Sequence, residues 1–329
     1  AEATGSEDMD RVRRSLPKLA RDLLGEGVSA RHVCAVVSNV LRDMTARATE
    51  LAEQSLINDG WGEAPARWSM LVLGSAGRGE SLLVFDQDHA IVHTGGEAED
   101  AWFAELGKRV ADTLNAAGIP YCEGKVMSST PQWRRSLENW RREISDWVLS
   151  PGEQTVMNTD IFFDLQPVHG DAALAEELRG IAISTAQTSS FFLQFLGMHV
   201  ARMDVPIGIF GEFVTTHGRL NAKKYGLLPL VSAARARAIR AGIHVTNTYD
   251  RYAALCESGL MHPDDLISLG DVHELMLKVM LEQQLADLAA GIAPSARIEP
   301  RRLDRGMQSR LKAAFKRIRT LKSLIGINA

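Results

Sequence analysis

The sequence predicts an α+β protein in which a helical N-terminal segment and a helical C-terminal bundle flank one small unit of mixed strands and helices. Apolar residues recur at helical spacing in both flanking parts, whereas short apolar runs separated by glycine turns lie in the central part. The length of 329 residues and the hydrophobic content of 45% allow more than one core. We therefore expect an N-terminal helical segment over 1–58, the mixed unit over 59–171 and the helical domain over 172–329.

The individual elements are predicted from local patterns of apolar, capping and breaking residues. Residues 10–56 are predicted to be helical, with Ser29 in position to cap a helix. Helices are also predicted over 100–117 and from Trp133 onward, where one apolar face carries tryptophans that we interpret as core rather than as a ligand cage. Strands are predicted in the segments "WSMLVL", "LLVFDQDHAIVH", "IPYCEGKVM" and "DIFFDLQPVHGD".

Composition and charge exclude several classes of protein. The formal net charge of −4 argues against a protein built to grip nucleic acid. No apolar run reaches the roughly 20 residues that span a bilayer, so no membrane partner is expected. The three cysteines, Cys34, Cys122 and Cys256, are far apart and form no CxxC pair. We interpret them as unrelated thiols in a reducing, cytoplasmic compartment rather than as a disulfide or zinc framework.

Two features lie near the ends of the chain. The N-terminus has neither an initiator methionine nor the pattern of a signal peptide, so we expect a processed chain or a fragment that has lost an upstream domain. Near the C-terminus, residues 297–322 carry ten basic residues against two acidic ones. We favour a solvated helix face there, and the alternative is a surface for an acidic partner or a triphosphate. The basic residues are Arg297, Arg301, Arg302, Arg305, Arg310, Lys312, Lys316, Arg317, Arg319 and Lys322.

The central unit contains two aspartates one residue apart in a predicted strand. Because side chains alternate along a strand, Asp86 and Asp88 are expected on the same side, about 6 to 7 Å apart. His89 is then expected to point the opposite way, and we interpret it as structural. Two ionised carboxylates this close repel each other unless a cation lies between them. Mg²⁺ and Mn²⁺ prefer such oxygen ligands, and Mg²⁺ usually binds one or two carboxylates together with substrate phosphates.

A glycine turn, "GSAGRGE", precedes this aspartate pair. Gly74 and Gly77 allow backbone N–H groups to approach a phosphate, and the Ser75 hydroxyl can donate to it. Arg78 can contact a phosphate through its guanidinium, whereas Glu80 either orients Arg78 or caps the local backbone. The turn is neither a Walker A loop nor a dinucleotide-binding GxGxxG motif.

A third carboxylate would complete a site for phosphoryl or nucleotidyl transfer, as a metal ligand or as a base for an attacking hydroxyl. Asp164, in the apolar segment "IFFDLQPV", is the best candidate, and Asp160 is more typical of a residue at the start of the strand. Each motif alone is also common in structural or solvated settings. The glycine turn, the aspartate pair and Asp164, in this order, favour a metal–phosphate site over the structural interpretation.

The segment "GSAGRGESLLVFDQDHAI" resembles the GSxGRxE…DQDxA signature of a family of bacterial nucleotidyltransferases that are often joined to CBS-pair or cyclic-nucleotide-binding domains. This family is similar to the uridylyltransferase that modifies the nitrogen-regulatory PII protein, within the DNA polymerase β superfamily. Later segments, among them "KKYGLLPLVSAARARAIRAGI" and "TNTYDRYAAL", extend the resemblance over about residues 15–325.

The resemblance implies a polymerase β-like mixed sheet with flanking helices and a helical C-terminal domain that binds substrate. It implies Mg²⁺- or Mn²⁺-dependent transfer of a nucleoside monophosphate, from ATP or another nucleoside triphosphate, to a protein or small-molecule hydroxyl in signal transduction. Gly74 and Ser75 would form the turn for the nucleotide phosphates. Asp86 and Asp88 would bind the metal, and Asp164 would be the third acidic residue.

Some positions depart from the family pattern. Gln166 stands where the family usually has arginine, and Asn221 and Ala222 stand where it tends to have Asp-Leu before a lysine. Lys223 keeps that lysine, and we expect it to contact a nucleotide phosphate. The departures keep open an alternative in which the chain is a nucleotide-sensing or inactive regulatory module. The CBS or cyclic-nucleotide-binding domain of related chains is absent from this sequence, and we expect it to have preceded this segment.

Overall fold

The computed structural model describes residues 5–321, so Lys322 of the basic stretch lies outside the described residues. The predicted combination of one small mixed sheet with many helices is confirmed. The chain divides into two compact units. The first unit comprises Ala1–Ala20, Ala35–Ser81 and Phe85–Thr185, and the second comprises Arg21–Cys34, Leu82–Val84 and Ala186–Ala329.

Two long helices occupy the N-terminal segment, which confirms the helical prediction there. They are α1 (Ser6–Gly25) and α2 (Ala30–Asn58). The Ser29 hydroxyl accepts the backbone N–H of His32 at 3.4 Å, so Ser29 caps α2 as predicted.

The first unit is built around a mixed sheet of four strands. These are β1 (Trp68–Val72), β2 (His89–His93), β3 (Arg134–Ser136) and β4 (Gln166–Gly170), in the order β3-β2-β1-β4. β1 pairs antiparallel with β2 and β4, and β2 pairs parallel with β3. β1 and β2 are buried along their whole length, which fits the mainly apolar residues of their central positions.

The register of this sheet brings three chain segments to one of its ends. Val72, the last residue of β1, lies opposite His89 at the start of β2 and opposite Gln166 at the start of β4. Because both pairings are antiparallel, the residues after β1 lie at the same end as the residues before β2 and β4. The glycine turn, the aspartate pair and Asp164 are therefore all placed at this end.

Further helices belong mainly to the first unit. They are α3 (Gly74–Arg78), α4 (Asp100–Ala116), α5 (Leu137–Leu149), α6 (Glu153–Phe162) and α7 (Ala172–Gln187). Trp140 on α5 is fully buried, and its ring centroid lies 4.8 Å from that of Phe162. The Trp140 indole N–H donates to the Ile91 carbonyl at 3.0 Å. The tryptophans of α5 are therefore core residues, as predicted, and not a ligand cage.

Besides the loop that precedes β2, the sequence prediction is wrong in three segments of the first unit. Residues 134–136 form β3 and not a helix, because α5 begins only after Ser136, whose hydroxyl accepts the Asn139 N–H at 3.2 Å. The segment "IPYCEGKVM" contains no strand, and Lys125 interrupts it with a φ of 57°. The segment "DIFF" completes α6 and its following turn, so the predicted strand starts only at Gln166.

The second unit is mostly helical, as predicted. Its elements are α8 (Ser190–Ala201), α9 (Leu228–Arg240), α10 (Thr248–Glu257), α11 (Pro263–Ala289) and α12 (Arg305–Arg319), with short strands β5 (Leu220–Asn221) and β6 (Arg297–Ile298). Arg219 donates two hydrogen bonds of 2.7 Å to the Asp287 carboxylate, which is fully buried. None of the helices in the described part of the chain combines the length and apolar character needed to cross a bilayer.

An ion pair ties β4 to α2 within the first unit. His169 Nε2 lies 2.5 Å from Oε2 of Glu53. The hydrogen bond to Glu53 raises the pKa of His169, against the opposing effect of burial, and the charges of Glu53 and Glu50 add to the rise. The stabilisation from this pair is fully present below the ordinary histidine pKa of about 6.5, and it is lost as the pH rises through the raised value.

We expect His169→Gln to lower the stability of the protein by about 1 kcal/mol at pH 6, because the pair is only partly shielded from solvent. The loss should be smaller at pH 9, where the parent has also lost the imidazolium. Thermal unfolding of parent and variant at both pH values measures the difference in Tm. Glu53→Gln should show the same pH dependence, and a difference in Tm that is equal at both pH values would contradict the assignment.

Candidate active site

The turn after β1 requires glycine at position 74. Gly74 has a φ of 54°, and a Cβ at this position would lie 2.9 Å from Oδ2 of Asp88. The Leu73 N–H donates to the Asp88 carbonyl at 2.9 Å, which holds the two segments side by side. The Asp88 carboxylate therefore lies directly against the glycine turn.

Asp86 and Asp88 lie in a loop just before β2 rather than within the strand. The predicted alternation is nevertheless present, since Gln87 is buried, Asp86 is exposed and Asp88 is partly exposed. The Gln87 side-chain amide donates to two backbone carbonyls at 3.1 and 2.8 Å, and its oxygen lies 3.1 Å from Nε2 of His89. Burial lowers the pKa of His89 to about 4, so His89 is neutral and structural, as expected. The buried pair of Gln87 and His89 anchors the loop, and the two carboxylates face away from it.

The thiol of Cys122 lies beside the two carboxylates, which the sequence does not predict. Asp86, Asp88 and Cys122 offer ligand atoms that all lie within 4.8 Å of one another. The Cys122 S–H donates to Oδ1 of Asp88 at 3.4 Å across a separation of 34 residues. Burial and the charge of Asp88 raise the pKa of Cys122 to about 12, so the thiol is neutral.

The donor atoms of this cluster fit a hard divalent cation. Two carboxylates at this separation suit Mg²⁺ or Mn²⁺, which prefer oxygen ligands. The Cys122 S–H donates to Asp88 at 3.4 Å, so the thiol acts on the pair through this hydrogen bond. We therefore interpret Asp86 and Asp88 as the residues that would hold an ion and Cys122 as a neighbour that orients Asp88.

Asp164 lies in a second, buried cluster at the same end of the sheet. It occupies the turn between α6 and β4, and its side chain is fully buried. Its Oδ2 accepts a hydrogen bond of 2.5 Å from Nη1 of Arg78. Nε of the same arginine donates to Oε2 of Glu80 at 2.8 Å. Burial opposes the charge of Arg78, but the carboxylates of Asp164 and Glu80 outweigh it and hold the Arg78 pKa above its usual value. Glu80 therefore has the first of its two predicted roles, since it orients Arg78.

The position of Asp164 bears on its predicted role as a third metal ligand. Its oxygens are not among the ligand atoms that cluster around Asp86 and Asp88. They are engaged instead by a guanidinium. The metal-binding and base roles of Asp164 stay predictions. Asp160, the other acidic residue of this segment, lies within α6.

Gly77 accommodates the Asp164 backbone, and its contact with a phosphate stays a prediction. A Cβ at Gly77 would lie 1.9 Å from the Asp164 carbonyl oxygen, and the Gly77 N–H already donates to the Leu73 carbonyl at 3.0 Å. Arg42 on α2 supports the same turn, because it donates to the carbonyls of Ala76 and Gly77 at 2.8 and 2.9 Å. Arg42 is a site-supporting residue that no motif in its own helix indicates.

Two family models match the chain, one over residues 14–154 and one over residues 190–328. The family described as "Putative nucleotidyltransferase DUF294" matches residues 14–154, and the one described as "Putative nucleotidyltransferase substrate binding domain" matches residues 190–328. The chain belongs to this nucleotidyltransferase family. The resemblance inferred from the signature is thereby confirmed. The first match contains the glycine turn and the aspartate pair, whereas Asp164 lies between the two matched ranges. No curated protein matches the chain.

In this member of the nucleotidyltransferase family, an arginine of α7 lies beside Gln166. Nη2 of Arg179 lies 2.5 Å from the Leu165 carbonyl oxygen and 3.4 Å from Oε1 of Gln166. Burial lowers the pKa of Arg179, against the opposing charges of Glu176 and Asp164. A second guanidinium thus acts on Asp164 although position 166 does not supply it. No sequence motif indicates Arg179, since it lies 13 residues from Gln166 on a different element.

Two further residues were predicted to contact the nucleotide in this family. Ser75 is partly exposed in α3, next to Gly74. Lys223 is exposed in the second unit, at the start of a π-helical turn over Lys223–Leu227. The Asn221 side chain accepts the Lys224 N–H at 2.9 Å, so Asn221 shapes this turn. The contacts of Ser75 and Lys223 with a phosphate stay predictions.

Proposed function

We propose that this nucleotidyltransferase moves a nucleoside monophosphate from a nucleoside triphosphate to a hydroxyl group of a protein or a small molecule. The observation that carries the proposal is the position of Asp88 against the glycine turn, where Oδ2 of Asp88 would lie 2.9 Å from a Cβ at Gly74. A phosphate that approaches this turn meets Asp88, and Asp86 and Asp88 offer carboxylate oxygens within 4.8 Å of each other. Negative groups so close together require a cation between them.

The residues at the turn have distinct roles in this proposal. Asp86 and Asp88 would hold Mg²⁺ or Mn²⁺, which when bound neutralises the triphosphate and favours attack at phosphorus. Gly74 lets the backbone approach the phosphates because it carries no side chain, and the Ser75 hydroxyl donates to a phosphate oxygen. Arg78 has only 12% of its side chain exposed and is bonded to the carboxylates of Glu80 and Asp164. In this proposal it therefore holds the turn in place.

The chemical step is a substitution at the α-phosphorus. The acceptor hydroxyl oxygen forms a bond to this phosphorus, and the bond to the oxygen that bridges to the β-phosphorus breaks. Pyrophosphate leaves with that oxygen and its electron pair, and the hydroxyl proton passes to a base. Asp164 is the predicted base. To act as the base, Oδ2 of Asp164 would give up its hydrogen bond of 2.5 Å from Nη1 of Arg78. It would then accept a hydrogen bond from the acceptor hydroxyl.

In this proposal the second unit binds the acceptor, because it matches a substrate-binding domain. Lys223 is the candidate there for a contact with phosphate. On α12, Arg317 is paired with Asp265 at 2.5 Å, so this part of the basic stretch is a neutralised surface rather than a free cationic one. A regulatory, cytoplasmic role in signal transduction follows from the family resemblance and belongs to the proposal.

Transfer of label from a nucleoside triphosphate tests the proposal. The protein is incubated in host-cell extract with each of the four α-³²P-labelled nucleoside triphosphates and with Mg²⁺ or Mn²⁺. We expect label on a macromolecule or metabolite with the parent and none with Asp86→Asn/Asp88→Asn. The labelled product identifies the base and the acceptor class. Absence of both transfer and metal-dependent nucleotide binding would show that the proposal is wrong.

A nucleotide-sensing module is the second candidate. Gln166 and Asn221 favour it, because both stand at positions where the family pattern has charged residues. In the same experiment, metal-dependent nucleotide binding without transfer, lost in the double variant, would favour the sensor over the enzyme.

A further inference from the structure

A hairpin of the second unit, over residues 206–214, carries two large apolar side chains that its own fold does not use. The Gly211 N–H donates to the Gly208 carbonyl at 3.0 Å, which closes a β-turn at the tip. Ile209 and Phe210 are the two central residues of this turn, and they are 98% and 95% exposed. Central turn positions are usually occupied by glycine, proline, asparagine, aspartate or serine. Two exposed apolar residues side by side at these positions therefore indicate a partner and not a requirement of the turn.

The hairpin contacts α12 at its base. Ile207 and Phe213 pair there, and Nζ of Lys312 lies 5.3 Å from the centroid of the Phe213 ring. Val214, the next residue, is exposed. Because Lys312 belongs to α12, the apolar tip and this helix are parts of one surface within the second unit.

A stripe of cations runs along α12 on the side that carries Lys312. Its members follow one another at intervals of seven, four and three residues, which places them on one side of a helix. None of them is in an ion pair with another described residue, whereas Arg317, on a different side of α12, is paired with Asp265. Three members are exposed and Lys312 is partly exposed. The cationic stripe consists of Arg305, Lys312, Lys316 and Arg319.

The surface formed by the hairpin and α12 is positively charged. Residues 206–214 and 304–319 together contain six basic and two acidic residues. One of the acidic residues, Asp304, is engaged as the cap of α12, where it accepts the Met307 N–H at 2.8 Å. The other, Glu212, lies against Gly208 on the hairpin. A partner of this surface must therefore combine negative charge with an apolar region that accepts the tip.

An anionic lipid bilayer has both properties. Its negative headgroups attract lysine and arginine side chains that lie near the surface, and its interior accepts apolar side chains. The hairpin tip protrudes, since its two central side chains are almost fully exposed, and it does not form the groove that a partner helix would need. A surface of this kind binds to a bilayer without crossing it.

We propose that the second unit docks on the surface of an anionic lipid bilayer. Ile209 and Phe210 insert among the headgroups as far as the acyl chains, and the cationic stripe of α12 lies over the negative headgroups. The stripe accounts for the part of the basic C-terminal stretch that is not neutralised by ion pairs. The proposal uses none of the residues assigned to nucleotidyl transfer, so either proposal can fail without the other.

Flotation of the full chain with lipid vesicles tests the proposal. Vesicles of phosphatidylcholine alone are compared with vesicles of phosphatidylcholine and phosphatidylglycerol in equal parts. We expect binding to the anionic vesicles that weakens as salt is added, because salt screens the attraction between the stripe and the headgroups. Ile209→Ser/Phe210→Ser should weaken this binding by about a hundred-fold. Lys316→Gln/Arg319→Gln should weaken it by about thirty-fold.

Matched control variants separate this surface from general effects of charge and apolarity. Leu149→Ser replaces an apolar residue of the first unit that is also exposed, and it should bind like the parent. Arg301→Gln/Arg310→Gln removes the same charge at exposed positions outside the stripe, and it should weaken binding less than Lys316→Gln/Arg319→Gln does. All of the replaced side chains are exposed, so the variants should keep the Tm of the parent.

Three results would overturn the proposal. The first is that the parent does not bind to the anionic vesicles, or binds equally to the neutral ones. The second is that the hairpin variant binds like Leu149→Ser, or that the two double charge variants bind equally. The third is that soluble poly-glutamate binds to the parent through the stripe while the vesicles do not, which would indicate an acidic protein as the partner instead.

Discussion

Replacement of Asp88 by asparagine is expected to lower nucleotidyl transfer by about a thousand-fold or more. The substitution keeps the size of the side chain and its contact with the Gly74 turn, but it removes the charge that would hold a cation. A bound metal contributes several kcal/mol to the transition state, and each ten-fold in rate corresponds to about 1.4 kcal/mol. Because Asp88 is partly exposed and an asparagine oxygen can still accept from Cys122, the stability of the fold should change little.

The rate of transfer and the Tm are measured on the same preparations. Cys122→Ala is the matched control within the cluster, since the neutral thiol only donates a hydrogen bond to Asp88. We expect it to keep transfer within about ten-fold of the parent, because the loss of one hydrogen bond costs about 1 kcal/mol. An Asp88→Asn protein that transfers like the parent would contradict the proposed metal site. A low rate accompanied by a large fall in Tm would assign the effect to folding instead.

The parts of this site that could be predicted from the sequence depend on local periodicity. Two aspartates one residue apart face the same way in any extended backbone, so their shared side was correct although β2 begins only at His89. The glycine turn was likewise indicated by residue type. Cys122 could not be predicted, because it reaches Asp88 across 34 residues from an irregular segment. Arg42 was missed for the same reason, since its bonds to the turn are made possible by tertiary packing of α2.

The surroundings of Asp164 show why short apolar runs mislead. The apolar residues before Asp164 fit a strand and a buried helix equally well, and the structure makes them the end of α6. Asp164 was therefore placed in the correct region of the sheet but with the wrong local backbone. Its pairing with Arg78 spans 86 residues, so no spacing rule indicates it. The sequence could show that Arg78 and Glu80 are neighbours, but it could not show that the pair is buried with a third charge.

Replacement of Arg78 by methionine is expected to destabilise the protein by about 3–5 kcal/mol. Methionine fills a similar volume, but it leaves the carboxylates of Asp164 and Glu80 buried without the guanidinium that donates to both. Arg78→Lys should be intermediate, because an ammonium group cannot reproduce the two-sided fork of the guanidinium. The loss is measured as the shift in the midpoint of chemical or thermal unfolding, followed by far-UV circular dichroism.

A compensating variant separates the loss of charge pairing from the loss of packing. In Arg78→Met/Asp164→Asn/Glu80→Gln the buried carboxylates become neutral amides, so most of the stability lost in Arg78→Met should return. If the triple variant is as unstable as Arg78→Met, the destabilisation comes from the shape of the side chain and not from uncompensated charge. Recovery of stability without recovery of transfer would show that the buried cluster also has a role in the reaction. That outcome would support the predicted part of Asp164 in catalysis, because the amide keeps its position but cannot act as a base.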